Sequence, residues 1–267
     1  MSAQMLIYER AVQLSSSQHK DWSVKTGTDY AFARQVNSVP LVAVEFPHAA
    51  AEYSIVFAGE GEAMMPIVIL GMREDENLYL NEANSWGAKY IPAFIRRYPF
   101  VFSSNKDQST FTLCIDEEFA GCNQENRGER LFDADSQRTQ YLENVLRFVN
   151  DYQGQFQRTQ LFCKKLQELD LLEPMQAQFT LNGGQKLRLA GFMAVNRERL
   201  KNLPEEKIAE LFKTDELELI YLHLQSMKNF NSLVERTAAH DADQKQEATP
   251  AVDDEKEAKP NKKQGVH

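Results

Sequence analysis

The spacing of hydrophobic positions changes character half-way along the chain. Between Val39 and Ile115 apolar residues come in short runs of β-branched and aromatic side chains, separated by turn formers such as Gly59, Gly61, Asn81, Asn84 and Gly87. Runs at 41–46, 53–57, 66–71, 77–80, 99–102 and 109–115 predict strands, and hence a mainly antiparallel N-terminal sheet. The first 38 residues are polar and weakly patterned, which predicts an arm packed loosely on the domain. From Thr139 to Leu171 the period lengthens: Leu142, Val145, Val149, Tyr152, Phe156, Thr159, Cys163 and Leu166 recur at steps of three and four, the stripe of an amphipathic helix. Gly154 lies inside that stripe, and its low helix propensity leaves open a break into two helices.

Strand texture returns at 176–195, where Asn182, Gly183 and Gly184 supply the positive φ angles of a hairpin turn. Pro204 followed by two acids opens a helix over 204–213. A last helix is predicted from Asp215 to Leu233, and helices end there. Residues 237–267 contain no aromatic side chain and mix Lys, Glu, Asp, Gln, Ala and Pro, a composition that predicts a disordered tail. The pattern as a whole gives an α+β fold: an antiparallel sheet over 39–116 covered by the long helix, then a β-hairpin and C-terminal helices, with one domain at 39–236.

Composition narrows the functional classes. The chain has 267 residues, 42% of them hydrophobic, and a formal net charge of −9; an acidic surface argues against nucleic acid as a partner. The longest apolar run, at 64–72, is too short to span a bilayer. The N-terminal segment carries Glu9 and neither a basic region nor an apolar core, so a cytoplasmic location is expected, with a non-classical export route left open. Cys114, Cys122 and Cys163 match no zinc or redox spacing, and buried reduced thiols are expected.

Candidate chemistry concentrates in WGAKYIPAFIRRYPFVF, residues 86–102. Pro92 can open a short helix, and Trp86, Tyr90, Phe94 and Tyr98 recur at four-residue steps that place them along one face. Arg96 and Arg97 then lie on different faces, so at most one accompanies the stripe, where it can stack on the rings, pair with a buried carboxylate or grip an anion. His48 and Glu52 are four residues apart, and together with His223 they are the residue types of a two-histidine, one-carboxylate metal site, although the usual His-x-Asp/Glu spacing is absent. His223 shares a helix side with Leu219, Met227 and Phe230, where a buried, hydrogen-bonded imidazole is the ordinary outcome. No nucleophile elbow, phosphate loop or dinucleotide fingerprint occurs, and no cofactor is expected.

Seven stretches, among them VPLVAVEFPHAAAEYSIVF, PIVILGMREDENLYLN, WGAKYIPAFIRRYPFVF, LAGFMAVNRERLKNLP and LIYLHLQSMKNF, resemble in order the SapC family of bacterial proteins across residues 37–233. The resemblance implies a link to paracrystalline surface layers, or to pathways that include tryptophan-halogenase-like proteins, cupin-like oxygenases and TonB-dependent receptors. It supplies no catalytic residues. The expectation is therefore an accessory or binding protein with a protein partner, whose ligand or partner site is drawn from Trp86, Tyr90, Phe94, Arg96, Arg97, Tyr98 and His223. The alternative is an enzyme of unknown type that holds a small anionic ligand or peptide in a pocket of Arg, His and carboxylate.

Overall fold

A computed structural model describes residues 5–27, 29–104, 110–180 and 186–247. Its strands are β1 (Ala11–Gln13), β2 (Ser23–Val24), β3 (Ser38–Pro40), β4 (Ile55–Ala58), β5 (Met65–Ile69), β6 (Phe100–Ser104), β7 (Phe111–Asp116), β8 (Cys122–Asn123), β9 (Glu129–Arg130), β10 (Leu172–Thr180) and β11 (Lys186–Val195). All pairings are antiparallel, in sheets ordered β1-β7-β6, β8-β2-β9 and β10-β11-β4-β5-β3. The helices are α1 (Ser16–His19), α2 (Phe46–Ala49), α3 (Ala93–Arg96), α4 (Gln140–Glu168), α5 (Arg197–Lys201), α6 (Glu205–Lys213), α7 (Glu216–Ser226) and α8 (Phe230–Glu247). The fold is α+β, with a long helix against antiparallel sheets.

The stripe on α4 organises the core. Its 29 residues extend about 44 Å. Leu142 and Val149 enter one buried cluster with Val24, Phe100 and Ile115, Tyr152 enters a second with Val42 and Ala93, and Phe162, Cys163 and Leu166 enter the largest. Thr139 caps the start: its hydroxyl accepts from Leu142 N and donates to Arg130 O. The helix does not break at Gly154, whose exposed face would place an added Cβ in open space.

Four sequence expectations are corrected. Residues 41–46 are not a strand but a 3-10 turn at Ala43–Glu45 leading into α2. The Glu45 carboxylate accepts from Val42 N at 2.9 Å and Pro47 sits in the first turn, two local features that favour a helix start over a ladder. Residues 77–80 contribute only a bridge from Leu80 to Trp86, because Asn77 and Asn81 turn their side chains onto Tyr79 N and Ser85 N and fold the backbone locally. The N-terminal segment is no loose arm: β1 pairs with β7, β2 is the middle strand of its sheet, and His19, Ser23 and Val24 are fully buried.

The predicted last helix, Asp215 to Leu233, is two helices, α7 and α8, joined by a 3-10 turn at Met227–Asn229, and α8 runs past Leu233 and the predicted domain end at Arg236 as far as Glu247. Thr237 is fully buried, Arg236 donates to Leu78 O and Gly87 O, and Asp241 pairs with Arg73 at 2.8 Å, so tertiary contacts overrule a polar composition. Residues 248–267 and the hairpin turn at Asn182, Gly183 and Gly184 lie outside the described residues.

Gly154→Ala is expected to stabilise the fold by about 0.5–1 kcal/mol, from helix propensity and reduced unfolded-state entropy. Urea unfolding measures it; a lowered midpoint would contradict an unbroken helix with an open face at residue 154.

Candidate functional site

The aromatic and arginine-rich segment does not form one face. Only Ala93–Arg96 is helical, since Tyr98 precedes Pro99 and the residue before a proline avoids the helical region. Trp86 is half-buried, donating its indole N–H to the Tyr53 hydroxyl at 2.8 Å and meeting Tyr30 edge-on. Phe94 is fully buried, and Tyr98 packs against Tyr8, Phe32 and Phe119. Four aromatics predicted to share a stripe thus meet different neighbours around one large core cluster, with Phe94 and Tyr98 inside it and Trp86 and Tyr90 at its edge.

One helical turn rotates consecutive residues by about 100°, and this sets the fates of the two arginines. Arg97 points inward and is 2% exposed, with its guanidinium carbon 4.5, 4.8 and 5.7 Å from the ring centres of Phe94, Tyr152 and Tyr8. Burial raises the pKa of the Tyr8 phenol, while the nearby Arg97 charge pulls the other way. Burial pushes the phenol of Tyr152 up to about 12, so the rings beside Arg97 stay neutral. Arg96 points outward and is exposed. Its Nε donates to Ile91 O at 2.9 Å, and its guanidinium carbon lies 5.7 Å from the Tyr90 ring and 5.3 Å from the Phe148 ring.

Two carboxylates position this surface: Glu45, which the sequence did not single out, and Glu52, which it offered only as a metal ligand. Glu45, 3% exposed, accepts from the Tyr90 hydroxyl at 2.6 Å, Ala93 N at 2.7 Å and Val42 N at 2.9 Å. Burial raises its pKa, while those hydrogen bonds and the nearby Arg96 charge pull the other way. Both oxygens of Glu52 accept backbone N–H groups, from Lys89 and Tyr90, at 2.9 Å. The His48 ring stacks on Tyr90 at 5.3 Å. A lone acid inside the apolar run VAVEFP was the available signal for Glu45; Tyr8, 89 positions from Arg97, gave none.

His223 lies elsewhere. It is fully buried on α7, with Nε2 3.0 Å from Val195 N and Nδ1 2.8 Å from Ile55 O. Val195 N–H can only donate, so Nε2 accepts, Nδ1 carries the proton and Nδ1–H donates to Ile55 O. Both ring nitrogens are committed to backbone. Desolvation lowers the imidazole pKa to about 4, with the Ile55 contact working in the opposite sense. The metal grouping of His48, Glu52 and His223 does not form, and among the described residues no three His, Cys, Asp or Glu side chains are arranged to hold a metal. Cys114 and Cys163 are buried free thiols and Cys122 is half-buried.

A family model described as SapC matches residues 14–233. The chain belongs to the SapC family. No curated protein and no solved structure matches it. The SapC span takes in Arg96, Arg97, Glu45 and His223 and ends within α8. Among the described residues of this SapC chain, no helix is long and apolar enough to cross a membrane.

His223 makes the stability of the SapC fold acid-sensitive. As pH falls below the unfolded imidazole's 6.5, the unfolded chain takes up the proton first, because the folded value is about 4. The contribution is whole above about pH 6.5 and is lost toward pH 4, amounting to about 3 kcal/mol across that window. Glu45, with its raised value, works in the opposite sense, so the comparison needs a variant that removes His223 alone. His223→Gln retains an acceptor and a donor but does not titrate. Urea unfolding at pH 7 and pH 4 should cost the wild type about 3 kcal/mol more than the variant; parallel pH profiles would contradict a neutral, buried His223.

Proposed function

We propose that this SapC chain is a non-catalytic accessory protein that docks a protein partner on the surface around Arg96. The supporting observation is that, of the seven residues singled out by sequence, only Arg96 is exposed, and it is held between the rings of Tyr90 and Phe148. Arginine anchored on aromatic rings is well suited to an interface: its planar head is pre-oriented, weakly hydrated and able to bind a carboxylate with two parallel hydrogen bonds.

The complementary partner presents a carboxylate beside an aromatic or aliphatic side chain. On a chain with net charge −9, a local cation also sets the orientation in which an acidic partner approaches. The enzyme alternative called for an arginine and a histidine converging on one pocket. His223 has both nitrogens engaged by Ile55 and Val195, which leaves it no acid–base role.

Arg96→Ala and Arg97→Ala distinguish surface from core. Arg96→Ala should leave the melting temperature within about 2 °C and weaken partner capture by about 2 kcal/mol, the size of an interface hot spot. Arg97→Ala should destabilise the fold by on the order of 3 kcal/mol. Quantitative mass spectrometry of proteins retained from the native host by tagged wild type and Arg96→Ala reads the first effect. Equal retention by both proteins would count against docking at Arg96.

A further inference from the structure

A cavity of about 530 Å³ opens beside Tyr98, within the range of roughly 300–1,000 Å³ that small-ligand sites occupy. It shares no residue with the Arg96 surface. Its floor is aromatic: Phe32 stacks on Tyr98 with ring centres 4.1 Å apart, and Phe119 stands edge-on to Phe32 and Tyr98 at 6.3 and 5.1 Å. Three carboxylates line it, Glu9, Asp29 and Glu118, against one cation, Lys25. Arg10 reaches Glu118 at 3.5 Å, but its closer partner is Glu117 at 2.7 Å.

The arrangement is built from below by Asp116, which is fully buried. One of its oxygens accepts from the Tyr98 hydroxyl at 3.2 Å and Glu9 N at 2.8 Å, and the other from Arg10 N at 3.0 Å and Glu118 N at 3.2 Å. A single buried carboxylate therefore fixes the floor ring and the backbone of two rim acids. Asp29 is held separately, its Oδ1 accepting from Ala31 N at 3.0 Å.

Aromatic rings under a carboxylate rim favour positive charge on two counts, the ring quadrupole and the Coulomb field, and both disfavour an anion. A metal ion needs several ligand atoms converging on one point, and among the described residues no three His, Cys, Asp or Glu side chains are so arranged. The geometry points to a binding site for an organic cation, a guanidinium, amidinium or alkylammonium group on an apolar body. Phe32, Tyr98 and Phe119 receive the body, while Glu9, Asp29 and Glu118 receive the charge. The site stands independently of the partner surface, since Arg96 takes no part in it.

Calorimetric titration of the full chain with benzamidine, benzamide and benzoate tests the assignment, because the three share one shape and carry positive, zero and negative charge. Benzamidine should bind with one-site saturation at least tenfold more tightly than benzamide, benzoate should not saturate, and benzamidine binding should weaken as salt rises. The double substitution Glu9→Gln and Glu118→Gln, on exposed side chains, should lower benzamidine affinity at least fivefold with an unchanged melting temperature. A capped Gly-Arg-Gly peptide separates two sources of the cation: tighter binding than benzamidine indicates a partner's basic side chain, and weaker binding a free organic cation. Equal binding of all three probes, saturation by benzoate, no saturation by benzamidine up to 10 mM (a concentration of about 10⁻² M, corresponding to under 3 kcal/mol), or a double variant that binds like wild type would each overturn the assignment.

Discussion

The imidazole of His223 stands where a backbone hydrogen bond between two strands would otherwise lie. Strand β11 meets β4 at the single pair Met193 and Phe57. Two residues further along each strand, Val195 N–H and Ile55 C=O are the next groups that an antiparallel ladder would join. Instead His223 enters between them and relays the bond through its ring. Ser226, one turn on, accepts from Ile55 N and donates to His223 O, and Asn229 donates to Ala50 O and Tyr53 O. Each buried backbone group left unmet would cost about 1–3 kcal/mol. The C-terminal hairpin and helices are therefore tied to the N-terminal sheet by polar side chains of α7 and the turn after it, as well as by apolar packing.

This junction bears directly on what the protein can do. The two side chains with the richest chemistry, His223 and Arg97, are committed to the fold, one to strand backbones and the other to a cage of Phe94, Tyr152 and Tyr8. A neutral imidazole with both nitrogens bonded to backbone has none free to exchange a proton with a substrate. What remains at the surface is Arg96, separated from Arg97 by one peptide bond and opposite in role because a helical turn points them to different sides. The buried acids Glu45 and Asp116 follow the same logic. Each collects donors from residues far apart in sequence and fixes the backbone behind a ring that borders the surface, Glu45 behind Tyr90 and Asp116 behind Tyr98.

Periodic features were legible in the sequence. The stripe from Leu142 to Leu166 depends only on local spacing, and α4 forms with those residues inward. The strands around Ile55, Pro66, Phe100 and Phe111 were visible as β-branched and aromatic runs. What could not be read depends on contacts between distant positions. Residues 41–46 have the composition of a strand, yet Glu45 and Pro47 turn them into helix. The N-terminal segment has too few apolar residues to suggest strands, but β1 and β2 gain their bonds from β7, β8 and β9. Residues 237–247 lack large apolar side chains and are held by the buried Thr237 and the pairing of Asp241 with Arg73. The arginine pair was legible as lying on different faces of a turn, but that Arg97 is buried depended on partners such as Tyr8, 89 positions away.

The most direct test of this account is the protonation state of His223, read by long-range proton–nitrogen correlation of the imidazole in labelled protein. The account predicts a neutral ring with the proton on Nδ1, the minor tautomer in water, persisting unchanged from pH 8 to below pH 5, since its pKa is lowered to about 4. A proton on Nε2, or titration near the ordinary value of about 6.5, would contradict it. Either would return His223 to the set of groups available for chemistry.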